Sequence, residues 1–137
     1  MQTPKKDPEH DDGPVQDSIR QELARCIKAA RKRYEDTQAK FIADVQTNPA
    51  SAIGWSAEGM VKAQSDYEVW VRIESEMLDH DPREVLVENI KEVQYRVRAF
   101  FGSNSTSIYS NAVERARAEA CVRQAEQLES LAKHLGC

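Results

Sequence analysis

Residues 17–46 read DSIRQELARCIKAARKRYEDTQAKFIADVQ, a run with neither glycine nor proline. Apolar side chains at Ile19, Leu23, Cys26 or Ile27, Ala30, Tyr34, Phe41 and Val45 recur at steps of three, four or seven. That spacing draws one stripe along an α-helix, where a half-buried strand would alternate every second residue. Asn48-Pro49 closes the run, because the residue before a proline is pushed out of the helical region. A helix with one apolar stripe has to lay it against something, so the remaining chain is read for partners.

Ser56 is placed to cap a second helix from Ala57 to about Asp79, with the stripe Met60, Ala63, Tyr67, Trp70, Met77 and Leu78. Trp55, just before that cap, is placed to staple onto the first turn, and Trp70 reads as core. Asp81-Pro82 is a restart signal, an N-cap side chain followed by a proline at the first helical position. The third helix carries Leu86, Ile90, Val93, Val97, Phe100 and Phe101 and stops at Gly102. After the cluster GSNSTSIYSN, residues 102–111, Asn111 and Glu114 form a capping-box-like pair. The fourth helix has the inner face Val113, Ala116, Ala120, Leu128, Leu131 and Leu135, and Gly136 ends it. The expected fold is all-α, an antiparallel bundle of about four helices, with residues 17–137 as a single domain. Residues 1–16, MQTPKKDPEHDDGPVQ, are polar and proline-rich and are expected to form a flexible tail.

Composition agrees with that architecture. Five Gly and five Pro in 137 residues are too few for a turn-rich β sandwich. No stretch approaches the roughly 20 apolar residues of a bilayer span, and Met1 to Pro14 lacks the apolar run of a secretory signal. The net charge of −4 argues against a dominant basic field for nucleic acid. The charge is uneven, however. Residues 17–47 hold seven Lys/Arg against five Asp/Glu, and residues 48–81 hold two against seven. Neighbouring helices of opposite sign steer each other together. Three cysteines, Cys26, Cys121 and Cys137, have no paired spacing and point to a cytosolic protein with reduced thiols. Val69, Val71, Ile73, Val85 and Val87 lie off the main stripes and are candidates for a subunit interface in a homo-oligomer.

Two constellations can carry binding chemistry. Ser105, Thr106, Ser107, Ser110 and Asn111, leading into a helix N-terminus and flanked by Arg96, Arg98 and Arg115, can supply donors to an anionic ligand. The alternative is a plain connection with an elaborate cap. Arg25, Lys28 and Lys32 share a face of the first helix and can meet phosphates or an acidic partner. Their bland reading is a solvated face balanced by Glu22, Glu35 and Asp36. Glu76 and His80 are one helical turn apart, but a third metal ligand is not identifiable, so no metal is assigned. No Walker, GxGxxG or GxSxG pattern occurs, so no cofactor and no catalytic residue is assigned.

The motifs NPASAIGWS (48–56) and STSIYSN (105–111), the second leading into an Ala-rich helix, resemble a family of small helical proteins encoded by bacteriophages and prophages. The resemblance spans Phe41 to the C-terminus and carries over no catalytic residue. It implies a non-enzymatic accessory protein that binds a host protein or sequesters a small signalling ligand of host defence. Two other classes are carried beside it. One is a nucleic-acid-associated regulator using the Arg25, Lys28 and Lys32 face; the other is a small enzyme whose site assembles between helices. No membrane partner is expected.

Overall fold

Four helices, α1 (Pro8–Thr47), α2 (Ala57–Glu76), α3 (Pro82–Gly102) and α4 (Ala112–Leu135), form an all-α bundle. This computed structural model describes residues 8–102 and 112–137, with side chains over 17–100 and 113–137. Among the described residues there is no strand, and no helix is long and apolar enough to cross a membrane. α1 begins at Pro8, ahead of the Asp17 start marked by the apolar periodicity. Of the expected tail, residues 1–7 lie outside the described residues.

α1 and α2 pair antiparallel along their length, and three contacts fix their register. Arg20 Nη1 donates to the Met77 carbonyl at 3.0 Å at one end. Arg33 Nη2 meets Asp66 Oδ2 at 3.5 Å midway. Ser56 Oγ donates to Asp44 Oδ2 at 2.7 Å at the other end. Arg31 adds a bond to the Tyr67 hydroxyl at 3.2 Å and an ion pair with Glu74 at 3.0 Å. The opposite charges of these two segments therefore meet directly. Tyr34 stacks on Tyr67 with ring centroids 4.7 Å apart. α4 lies beside α2 on its other flank, and α3 packs chiefly on α4.

Position in the bundle explains where the stripes depart from expectation. α2 touches all three other helices, so a wide arc of it is covered. Val69 and Ile73 are buried core residues with Trp70 and Met77, and Val85 is buried on α3. They are not surplus interface positions; of that set only Val71 is exposed, and Val87 is half-buried. Leu78, assigned to the α2 stripe, falls in the turn after the helix and is 83% exposed. Val113 is exposed at the start of α4.

The joints use side chains as caps. Asn48 Oδ1 accepts from Ser51 N at 3.2 Å, with Pro49 at the first position of a short turn, Pro49–Ser51. A π-helical segment, Ala52–Ser56, then runs into α2. Ser56 is thus not the cap: its backbone is already helical, and its hydroxyl goes to Asp44. Trp55 does not staple onto α2 either, because the wider π turn directs it outward, 84% exposed. Asp81 Oδ1 accepts from Arg83 N at 2.9 Å ahead of α3. At the far end Gly136 adopts φ 76°, while Cys137 N and Gly136 N bond the carbonyls of Ala132 and Lys133, which is a Schellman closure.

Candidate functional site

A cleft of about 500 Å³ opens between α2, α3 and α4. Its α4 wall is Arg117, Cys121 and Gln124; its α3 wall is Arg96, Ala99 and Phe100; α2 contributes Ser65 and Glu68. These residues converge because each helix presents positions three or four apart on one face.

Gln124 is the unusual member. It is only 2% exposed, and its Nε2 has no hydrogen-bond partner among the described residues. A buried amide donor without an acceptor costs on the order of 1–3 kcal/mol, so such a group marks a place where an acceptor belongs. Arg96 is half-buried and donates Nε to Glu92 Oε2 at 3.1 Å. Arg117 is exposed and makes no ion pair among the described residues.

A buried polar network underlies the α2–α3 contact. Arg72 Nε donates to Asn89 Oδ1 at 2.7 Å, and Asn89 Nδ2 donates to Glu76 Oε1 at 2.7 Å and to the Val85 carbonyl at 2.8 Å. Asn89 is 2% exposed. Arg72 Nη2 is buried without a partner. Burial, and then the neighbouring Arg96 charge, lower the Arg72 pKa, while Glu92 and Glu76 oppose that fall. The Cys121 thiol is pushed up by burial, against the opposing pull of Arg96 and Arg72. The positive field of these two arginines therefore reaches the cleft wall.

The sequence-predicted anion site is brought together only in part. Arg96 lines the cleft. Arg98 is exposed elsewhere on α3, and Arg115 is exposed on α4, close enough to Glu119 to help lower its pKa. Ser105, Thr106, Ser107, Ser110 and Asn111 lie outside the described residues. Sequence reasoning passes over Gln124 and Arg72, although a signal exists. Gln124 falls on the stripe Cys121, Leu128, Ala132, and Asn89 on the stripe Leu86, Val93. A polar residue in a core register is such a signal.

The basic face of α1 is largely satisfied within its own helix. Arg25 is bidentate to Glu22, and Lys32 meets Asp36 at 3.1 Å. Lys28 is exposed beside them. This is the solvated-face arrangement, with Asp36 and Glu22 as the counter-charges. A more open groove of about 580 Å³ between α1 and α4, floored by Trp70, is walled by the Arg25–Glu22 pair, Cys26 and Leu131. His80 sits at the end of α2 with Nδ1 3.2 Å from the Glu76 carbonyl, as suits a histidine at a helix C-terminus. Among the described residues, no three His, Cys, Asp or Glu side chains are grouped to hold a metal ion. All three cysteines are free.

The chain matches no protein-family model, and comparison with curated proteins and with solved structures gives no match.

Proposed function

We propose that this chain is a non-enzymatic binding protein of the bacteriophage accessory type, which sequesters a small anionic ligand of its bacterial host in the α2–α3–α4 cleft. The observation that carries the reading is the cleft lining that brings Arg96 together with Arg117, an exposed guanidinium without an ion pair among the described residues. Two guanidinium groups against one carboxylate, Glu68, leave the lining positive on balance, which favours an anion. The site of action is the host cytoplasm.

Self-association belongs to the same reading. Ile42, Val45, Ile53 and Trp55 are exposed at the end of the molecule where α1 meets the π turn, and exposed apolar groups of this kind suit an interface between copies. Native mass spectrometry of the protein purified from a bacterial host tests both parts. The expected spectrum contains an oligomer mass and a retained anionic small molecule that Arg117→Gln releases. A strictly monomeric protein that takes up no phosphate, carboxylate or nucleotide would end the proposal.

A further inference from the structure

The solvent side of α1 changes character in its last three turns. Up to Asp36 it carries charges, among them Arg25, Lys28, Lys32 and Asp36, all exposed. Beyond that point Gln38, Ala39, Ile42, Ala43, Val45 and Gln46 are exposed within one half of the helix circumference. None of the six is charged, in a chain 31% charged overall. The other side of the same turns is occupied, since Tyr34 stacks on Tyr67 and Asp44 accepts from Ser56. The polar groups that border the face are satisfied within the helix. Lys40 is tied to Asp44 at 2.9 Å, and the Thr47 hydroxyl donates to the Ala43 carbonyl at 2.8 Å. A solvated helix keeps charges on its outer face, so an outer face without one marks a surface that is covered.

Three occupants compete for it. A membrane surface calls for Lys or Arg beside the apolar groups, and the cation at hand, Lys40, already has its carboxylate. A charged partner protein gains no steering from a face without charge. A second copy of the same face suits it. On a two-fold axis each charge meets its own like, so a charge-free stretch can cross itself without repulsion. The stretch with Lys28 and Lys32, earlier on the same helix, cannot. Ile42 stands in the middle of the face, 49% exposed, and the small side chains of Ala39 and Ala43 let two backbones approach closely. With Ile53 and Trp55 at the same end, Ile42 and Val45 offer on the order of half of the apolar and polar area, roughly 800 Å² per partner, that a standard interface buries. Resting on the reading that copies associate, we propose that the chain forms a two-fold dimer in which the α1 segment 38–46 crosses its counterpart, with Ile42 against its own equivalent.

Sedimentation velocity of the full chain, of Ile42→Lys, of Ile42→Glu and of the two variants mixed in equal amounts tests this placement, with circular dichroism to check each fold. The unmodified chain is expected to sediment as a dimer. Each variant alone sets like charges against each other and should weaken the dimer at least roughly tenfold. The mixture sets Lys against Glu and should restore it, which neither a damaged fold nor a mere loss of apolar area would allow. Dimers in both variants alone, or a mixture that stays monomeric, overturn the placement and leave self-association standing. An assembly larger than a dimer overturns the closed two-fold pair. A monomeric unmodified chain overturns self-association with it. None of these outcomes touches the anion cleft, which is lined from α2, α3 and α4.

Discussion

The two ends of this bundle are built differently. At one end all four helices meet, and large side chains close the space between them: Ile19, Leu23 and Ile27 on α1, Ile73 and Met77 on α2, Leu86 and Val93 on α3, Leu128 on α4. At the other end, where the π turn and the beginning of α4 lie, the buried residues are small: Ala52, Ala116, Ala118 and Ala120. Phe41 and Met60 are only half-buried there, and Ile53 and Trp55 project into solvent. Burial energy scales with apolar area, so the first end supplies most of the hydrophobic stability. The alanine-lined end contributes close helix approach and leaves Ile53 and Trp55 on the surface. The cleft with Arg96, Cys121 and Gln124 lies in the zone between them. One end thus holds the fold, and the other keeps small side chains inside and large apolar ones outside.

Large-to-small substitutions test that division most sharply. Leu86→Ala or Leu23→Ala, at residues fully buried, should cost about 3 kcal/mol in urea unfolding. Phe41→Ala, half-buried at the open end, should cost less than half as much despite removing a larger side chain. Equal costs would show that the open end is as well packed as the closed one.

Asn89→Ala comes next in size. It leaves Arg72 and Glu76 without the amide that bridges them, and stability should fall by about 2 kcal/mol. Adding Arg72→Met should recover part of that loss, because the uncompensated buried cation goes with it. A double variant no more stable than the single one would show that the stranded Arg72 charge is not the source of the loss.

Acid should loosen the open end, which holds two carboxylates of lowered pKa, before the α3 core of the closed end, although Glu22 on α1 there is lowered too by the hydrogen bond from Arg25. Asp44 is held below the ordinary carboxylate range by the hydrogen bond from Lys40 and then that from Ser56, and Glu119 by the hydrogen bond from Lys62. A carboxylate whose pKa is lowered by folding adds stability that is fully present above its ordinary value, about 4, and is lost as pH falls through the lower folded value. Hydrogen exchange, corrected for intrinsic rates, should therefore show amides of residues 44–60 losing protection between about pH 4 and 3 before those of residues 85–93. Simultaneous loss at both ends would remove the electrostatic part of the comparison.

The smallest thermodynamic effect belongs to Trp55→Ser. At 84% exposure it should shift stability by no more than about 0.5 kcal/mol. If copies associate as proposed, its expected consequence is a lower mass in sedimentation velocity, and an unchanged mass would take Trp55 out of the proposed interface.

Some features of the two ends are legible in the linear chain and others are not. Asn48-Pro49, Asp81-Pro82 and Gly136 announce their joints because cap and breaker chemistry is local. Ser56 and Trp55 depart from their expected roles because the cap lies at Asn48 and the extra residue of a π turn rotates the side chains after it, which no periodicity at 3.6 anticipates. Val69, Ile73 and Val85 look surplus in the sequence because a stripe drawn for one neighbour ignores that α2 has three. Of the anion-site arginines, Arg96 turns inward and Arg98 does not, a choice made by two positions on one helix.

The sequence by itself determined four helices, their order and most of their boundaries, since periodicity, caps and breakers act within a few residues. It also determined that the charges of residues 17–47 and 48–81 are opposed. Only the tertiary structure decided which of those charges meet, that α2 stands between α1 and α4, and that Gln124, Arg96 and Arg117 share one cleft. Those residues are on different helices or turns, and their meeting depends on how three helices rotate against one another, a property fixed by packing and by no local signal.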